Sequence, residues 1–317
     1  MKKFDIAAIG DINVDIILNG IESEPEIGKE KFASDMTVTL GGSTTIFAAN
    51  AAAIGSKVCF VGMTGNDMFG KLCCDSLTRS GVNTDYVKHN AEVATGATLV
   101  MNYGEDRANL TYQGAMDVMG YDDIDPEMFS MTKHIHLSCL FMQSALLKDI
   151  DKVLSKAVEN GITVSLDTQW DPMETWKMDW KAVLPKVTLF MPNEKELMAL
   201  TGTSDVEEAI AAVVPYLGMA MVLKMGSKGS LLVRKDGSRN FAPSFLNKEV
   251  VDAIGAGDSF NSGFISAFVA GHPLEKCQIN GNLTGAINTT GAGGTGAFTS
   301  REDVERVARE RFNTELL

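Results

Sequence analysis

The stretch Val250-Val251-Asp252-Ala253-Ile254-Gly255-Ala256-Gly257-Asp258-Ser259-Phe260 is the most informative part of this sequence. Its first residues are β-branched and apolar, which predicts a strand that enters a turn. After Asp258 the apolar residues recur at helical spacing, which predicts that a helix begins there. Between the two predicted elements lie only glycine, alanine and glycine, and side chains this small cannot shield their own backbone.

The turn inside this stretch predicts an anion site. At the start of a helix, three or four backbone N–H groups lack partners and lie at the positive end of the helix dipole. Here these groups belong to Gly255, Ala256, Gly257 and their neighbours. A bound phosphate would repel a carboxylate beside it, so Asp258 is expected to remove a proton rather than to bind charge. The alternative is an ordinary Gly-rich turn with Asp258 in the first turn of a helix.

Length, charge and cysteine content narrow the class of protein. The chain has 317 residues, of which 45% are hydrophobic, and a formal net charge of −13. This length accommodates one large α/β domain or two domains, and the acidic balance argues against nucleic acid or an anionic membrane as a partner. The five cysteines lack the spacing of a disulfide framework, and the sequence has no run of about 18 apolar residues. The polar residues Asp11 and Asp15 lead us to expect that the first segment is not a signal peptide. We therefore expect a cytoplasmic protein.

Polar residues follow the first predicted strand, Phe4–Ile9. Asp11, Asn13 and Asp15 share one face if the chain stays extended, and such side chains suit a clamp for sugar hydroxyls. A solvated strand face would give the same pattern. Further along, Gly41 and Gly42 precede an alanine-rich helix that is predicted from Ser43 to Ile54.

Strand and helix patterns alternate along most of the chain, which predicts a mostly parallel sheet with helices on both faces. Ligands of such sheets bind beyond the carboxyl ends of the strands. Residues 32–40 and 96–112 instead predict a separate small sheet, with a hairpin centred on Gly104. The other predicted strands are at 4–9, 58–63, 133–137, 162–166, 187–190, 221–224 and 231–234.

These motifs resemble those of the PfkB (ribokinase-like) carbohydrate kinases. The family pattern D-T-x-G-A-G-D matches Asp252 to Asp258 except at Ala253, and the pattern G-G-x-x-x-N-x-A matches from Gly41 except at Ile46. The resemblance implies a single ribokinase-like α/β domain, 1–317, whose lid, at roughly 12–42 and 95–116, covers the sugar. It also implies a homodimer formed through the lid.

The resemblance further implies transfer of the γ-phosphoryl group of ATP to a hydroxyl of a small sugar or sugar acid. In this interpretation Asp258 is the base, and Gly255, Ala256 and Gly257 stabilise the charge of the phosphoryl group. The implied sugar residues are Asn13, Asp15, Gly41, Gly42 and Asp258. The implied nucleotide residues are Asn193, Lys224, Gly226, Ser227, Gly229, Gly257 and Asn282. Glu196 would support Mg²⁺ through water, and Asp252 with Ile254 would belong to a K⁺ site.

Two alternatives stay open from the sequence: a nucleoside kinase of the same family, and a non-catalytic sugar or nucleotide sensor on the same scaffold. Capping alone would explain Asn193 and Glu196 at the start of a predicted helix.

Ser43 and Ile46 stand where ribokinases have polar sugar contacts, and no Glu follows the strand that ends at Leu137. Ribose is therefore expected to be a poor substrate.

Overall fold

The structure, a computed structural model, describes residues 2–103 and 106–317. Gly104, the centre of the predicted hairpin, lies outside the described residues. The strands are β1 (Phe4–Ile9), β2 (Asn13–Asn19), β3 (Asp35–Gly41), β4 (Val58–Gly65), β5 (Asn83–Asn90), β6 (Gly96–Tyr103), β7 (Asp106–Tyr112), β8 (Thr132–Ser138), β9 (Thr163–Asp167), β10 (Leu189–Phe190), β11 (Ala220–Lys224), β12 (Gly229–Arg234) and β13 (Arg239–Pro243).

Helices connect most of these strands. They are α1 (Ser43–Ala53), α2 (Met68–Arg79), α3 (Ala115–Val118), α4 (Met128–Met131), α5 (Ser144–Glu159), α6 (Trp180–Val183), α7 (Glu194–Thr201), α8 (Val206–Val213), α9 (Ala256–Val269), α10 (Leu274–Asn288) and α11 (Arg301–Phe312). No helix in the described ranges has the length and apolar character needed to cross a membrane.

The large sheet has the strand order β13-β12-β11-β10-β9-β8-β1-β4-β5. Every pair from β11 to β5 is parallel, and only β12 runs against its neighbours. The interior strand β1 is buried on both faces: Ala7 and Ile9 pack in one hydrophobic cluster, whereas Ile6 and Ala8 pack in another. This two-sided burial explains the continuous apolar run in the sequence, and the predicted fold class is confirmed.

Because these strands are parallel, their carboxyl ends lie along one edge of the sheet. The residues that follow β1, β8, β9, β10 and β11 therefore meet at this edge, at Gly10, Cys139, Thr168, Met191 and Met225. The candidate site lies at the same edge.

The second sheet, called the small sheet below, has the order β3-β2-β6-β7. Cross-strand partners point to the same side, so its register separates two faces. The polar face contains Asn13 and the row Thr39-Asp15-Thr98-Thr111. The apolar face contains the rows Leu40-Val14-Ala97-Tyr112 and Val38-Ile16-Leu99-Leu110.

The strand predicted at Val250 and Val251 is wrong. Residues 244–255 form neither helix nor strand, and these two side chains are 61% and 60% exposed. The Val251 N–H donates to the carbonyl of Thr289 at 2.8 Å, at the end of α10. β-Branched residues favour an extended backbone here, but a strand also needs a neighbouring strand, and this segment has the end of a helix instead. The following helix α9 begins at Ala256, two residues before the predicted start.

Candidate active site

The turn before α9 presents unpaired backbone donors. Gly255 precedes the helix with a φ of +72°, a conformation that favours glycine. The first helical hydrogen bond runs from the Ser259 N–H to the Gly255 carbonyl at 2.8 Å. The Ala256 N–H donates to Ala253 at 3.2 Å, whereas the N–H groups of Gly255, Gly257 and Asp258 have no acceptor among the described residues. The N–H groups that are free to bind an anion therefore belong to Gly255, Gly257 and Asp258. Ala256 was predicted with them, but its N–H already has an acceptor.

Asp258 lies in the first turn of α9 and is only 6% exposed. Its Oδ1 accepts a hydrogen bond from Gln169 Nε2 at 2.8 Å. Burial raises the pKa of Asp258 well above its ordinary value, and the charge of Asp167 acts in the same direction, whereas Lys224 opposes the rise. A carboxyl group with a raised pKa accepts a proton more readily than an exposed carboxylate, which suits a general base.

A buried ion pair lies beside this carboxylate. Lys224, the last residue of β11, pairs through its Nζ with the Oδ2 of the fully buried Asp167, the last residue of β9. Asn261, on α9, donates to the same oxygen at 2.6 Å. A Cβ placed on Gly257 would lie 3.6 Å from Lys224 Nζ, so the cation lies against the turn that holds the unpaired N–H groups.

The polar face of the small sheet supplies the predicted sugar residues. Asn13 Nδ2 donates to Asp15 Oδ1 and to Thr98 Oγ1, both at 3.1 Å. A Cβ at Gly41 would lie 2.1 Å from Asp15 Oδ1, and one at Gly42 would lie 3.0 Å from Asn13 Oδ1. The two glycines thus leave the room that these side chains occupy. The pKa of Asp15 is raised to about 6, mainly by burial.

The spacing had suggested that Asp11 shares one strand face with Asn13 and Asp15, and the structure shows that it does not. β1 ends at Ile9 and β2 begins at Asn13, so the chain turns between them. The Asp11 carboxylate instead accepts the N–H groups of Ser43 and Thr44, each at 2.9 Å, at the start of α1. Asp11 is therefore a helix-capping residue at the margin of the site.

A cavity of about 340 Å³ borders the Gly257 turn. Six of the seven predicted nucleotide residues line it: Lys224, Gly226, Ser227, Gly229, Gly257 and Asn282. Sequence reasoning missed its largely apolar wall, which is formed by Phe245, Leu246, Val250, Ala253, Phe260 and Ala286. An apolar wall with polar groups at one end suits a planar base with an attached polyphosphate.

Asn193, the seventh residue, does not line this cavity. Its Oδ1 accepts the Glu196 N–H and its own N–H donates to Glu196 Oε2, both at 2.9 Å, so the pair forms a capping box for α7. Burial and the charge of Asp167 raise the pKa of Glu196 to about 7, although Lys224 opposes them. Glu196 therefore belongs electrostatically to the group around Asp167 and Lys224.

The atoms assigned to a monovalent cation are held by donors of the protein. Asp252 accepts the N–H groups of Ile254 and Gly293, each at 2.9 Å. The Ile254 carbonyl accepts Asn288 Nδ2 at 2.7 Å. These contacts brace the loop before α9 against the segment after α10.

The fold therefore brings four parts together: a buried carboxylate, a turn with unpaired N–H groups, a cavity that borders this turn and a polar sheet face.

Asp167 and Gln169 were not identified from the sequence. Both follow the predicted strand 162–166 at its carboxyl end, and that position was the available signal.

The sequence matches the family described as pfkB family carbohydrate kinase over residues 3–300. It is 30% identical over 234 residues to an uncharacterized sugar kinase from Archaeoglobus fulgidus, with 74% of this chain and 91% of that protein covered. It is 31% identical over 286 residues to a ribokinase from Arabidopsis thaliana, with 86% and 72% covered. A solved structure, Arabidopsis thaliana ribokinase complexed with ribose and ATP, matches with a TM-score of 0.84 at 25% identity, and the match covers 96% of this chain and 98% of that one.

Proposed function

This chain belongs to the pfkB family of carbohydrate kinases, and we propose that Asp258 and the turn before it are the centre of its reaction. The protein is an ATP-dependent sugar kinase, a phosphotransferase with an alcohol group as acceptor. The observation that supports the proposed centre is the position of the buried Asp258 carboxylate beside the unpaired N–H groups of Gly255 and Gly257. In the proposed mechanism the cavity beyond Gly257 holds the nucleotide, and the polar face of the small sheet holds the acceptor.

Asp258 accepts the proton of the attacking hydroxyl as the new O–P bond forms and the bond from the γ-phosphorus to the bridging oxygen breaks, which releases ADP. The N–H groups at the start of α9 and the ammonium group of Lys224 stabilise the negative charge of the γ-phosphoryl group during transfer. Asn13 and Asp15 bind acceptor hydroxyls and thereby aim one of them at the phosphorus. A non-catalytic sensor would need none of these proton-accepting features.

Glu196 is the residue we assign to Mg²⁺, through a bound water. Mg²⁺ usually combines one or two carboxylates with phosphate oxygens and several waters. The residues fit that pattern, because the Glu196 and Asp167 carboxylates lie close enough to Asp258, in the first turn of α9, to raise its pKa. When bound, the ion would neutralise charge on the phosphates. We derive no step from K⁺.

The small sheet is the lid of this enzyme in our proposal, and the chain as a whole forms one catalytic domain. The apolar face of the small sheet is covered at one end, where Val14 is fully buried. It is open at the other end, where Val38 and Leu110 are 37% and 66% exposed. A small sheet with an exposed apolar face is marginal on its own, and its edges invite pairing. We therefore propose that a second copy of the chain covers this face.

The cytoplasm is the proposed location. The reaction consumes ATP, and all five cysteines are unpaired in the described part of the chain, as is usual in a reducing compartment.

Turnover of Mg-ATP with D-fructose, 2-keto-3-deoxygluconate, 2-deoxy-D-ribose, D-ribose and cytidine tests the proposal. We expect ADP release with at least one of these acceptors, and Asp258→Asn is expected to lower kcat by about 10²–10⁴ while the affinity for ATP is largely retained. Near-normal turnover of Asp258→Asn would remove Asp258 from the role of base. ATP binding without transfer to any acceptor would favour the sensor.

A further inference from the structure

Gln169 is the side chain that contacts the catalytic carboxylate directly. It lies two residues after the end of β9, and its Nε2 lies 2.8 Å from Asp258 Oδ1 and 3.3 Å from Asp167 Oδ2. Among the described residues, it is the only side-chain donor within hydrogen-bond distance of the Asp258 carboxylate. Its amide nitrogen must face the two carboxylates, because the amide oxygen would be repelled by both.

The backbone of Gln169 is in an unusual conformation for this residue type. Its φ is +57°, in the left-handed region that non-glycine residues other than Asn and Asp rarely adopt. The Gln169 N–H donates to Asp167 Oδ1 at 3.3 Å, so Asp167 holds both the backbone and the side chain of Gln169. Such outliers persist only when the surroundings impose them, and they cluster at functional sites.

Asp167 is itself fixed from two sides. Lys224 pairs with it from β11, and Asn261 donates to it from α9, one turn after Asp258. The contacts therefore form a closed chain from α9 through Asn261 to Asp167, on to Gln169, and back to Asp258 on α9. This chain ties the loop after β9 to the first turn of the helix that presents the base.

We propose that Gln169 is a positioning residue for phosphoryl transfer, whose side-chain amide aims the Asp258 carboxylate at the acceptor hydroxyl and favours its ionised form. The proposal rests on the proposed role of Asp258 as the base. An amide N–H that donates to a carboxylate stabilises the charged form, which is the form that can accept a proton. Without this donor, the buried carboxylate would hold its own proton more tightly and would be less often ready to react.

Most of the groups that face Asp258 disfavour its ionised form. Burial raises its pKa, and so do the charges of Asp167 on β9, Asp11 after β1 and Glu196 on α7. Lys224, on β11, opposes the rise, but its ammonium group is already paired with Asp167. The Cys139 thiol, after β8, also faces this group, and burial raises its pKa well above the ordinary value, so it adds no charge. Gln169 is thus the neutral group that favours the ionised base directly.

Gln169→Gly and Gln169→Asn remove this contact, and both residue types adopt the positive φ of this position more readily than glutamine. Glycine adopts a positive φ freely, and asparagine tolerates it but is one methylene too short to keep the contact. Glu174→Gly is the matched control, because Glu174 lies in the same loop with a φ of +52°, is exposed and is remote from the site chemistry. All three variants relax a strained backbone, and only the first two remove the amide from Asp258.

The pH dependence of kcat, measured with Mg-ATP and the fastest of the five acceptors named above, separates positioning from a purely structural role. A hydrogen bond to a charged group corresponds to about one to two pH units, so the acidic limb is expected to move up by that amount in both Gln169 variants. In Glu174→Gly the limb is expected to stay in place. A limb that stays in place in Gln169→Gly would overturn the proposal.

A titration that needs no acceptor gives an independent measurement. The carboxyl carbon of Asp258 can be followed by NMR in protein labelled with ¹³C-aspartate, and its signal is assigned by its loss in Asp258→Asn. We expect the pKa of Asp258 to be higher in Gln169→Gly than in the wild type, and equal pKa values in the two proteins would refute the inference. An active Asp258→Asn variant would instead refute the proposed function, so the two failures are distinguishable.

Discussion

Gly255→Ala tests whether the turn before α9 has the geometry on which the proposed mechanism depends. At a φ of +72° an alanine costs about 1–2 kcal/mol relative to glycine, because its Cβ crowds the following carbonyl. The new Cβ would also lie 2.8 Å from the Cα of Gly294 and 3.1 Å from Ile46 Cγ2. Gly294 contributes backbone, which cannot rotate away, so relief of this contact adds about 1–3 kcal/mol. The total expected loss of unfolding free energy is about 2–5 kcal/mol.

Gly271→Ala is the control for the backbone cost alone. Gly271 lies just beyond the other end of α9, has a φ of +88°, and has no atom within 4 Å of its added Cβ. Urea unfolding followed by tryptophan fluorescence should therefore show a loss of about 1–2 kcal/mol for this variant. Turnover of Gly271→Ala should equal that of the wild type. In Gly255→Ala, displaced N–H donors should lower kcat by about 10²-fold or more. Equal stability losses in the two variants, with full turnover of both, would refute the assigned geometry.

Three further predictions concern stability, the acceptor and association. The pKa of Asp258 is raised in the folded protein, mainly by burial, so the folded state keeps a proton that the unfolded state releases above its ordinary pKa of 3.8. Wild-type stability should therefore fall as the pH rises above 3.8. Asp258→Asn cannot ionise, so its stability relative to the wild type should increase from pH 5 to pH 8. A difference in unfolding free energy that stays constant with pH, measured by urea unfolding, would contradict this. D-Ribose should have a kcat/KM about 10²-fold or more below that of the best acceptor, because each lost hydrogen-bond partner at Ser43 or Ile46 costs about 1–3 kcal/mol, and the prediction fails if ribose is the preferred acceptor. Light scattering should show a dimer that Leu110→Lys converts to a monomer, whereas Lys at Val158, which is also exposed at 57%, should leave it intact; a wild-type monomer at micromolar concentration would exclude the dimer.

In the large sheet, the strands that are buried on both faces were predicted from the sequence. β1 and β11 are continuous apolar runs, so their position follows from composition alone. The two edge strands of the large sheet, β5 and β13, were missed, because their side chains are mostly polar or exposed. An edge strand is defined by its hydrogen bonds to one neighbour, and this pairing leaves little trace in the pattern of side chains.

The candidate site also has a part that could be predicted from the sequence and a part that could not. Gly255 to Asp258 could be identified because the turn, its donors and its carboxylate are adjacent in sequence. Gln169 could not, because its contact with Asp258 joins residues 89 positions apart. The conformation that makes this contact, a positive φ at a glutamine, is one that no local preference predicts.

The alternation along β2 restricts how this protein can change during evolution. Asn13 and Asp15 belong to the polar face while Val14 and Ile16 belong to the apolar face, so a deletion or insertion of one residue between β1 and β2 would exchange the two sets. Acceptor binding and burial of the sheet would then be lost together. The connection from β2 to β3, residues 20–34, is almost entirely exposed, and its length can vary without a change of register. Natural length variation is therefore expected in that loop, whereas the connection of three residues between β1 and β2 should keep its length.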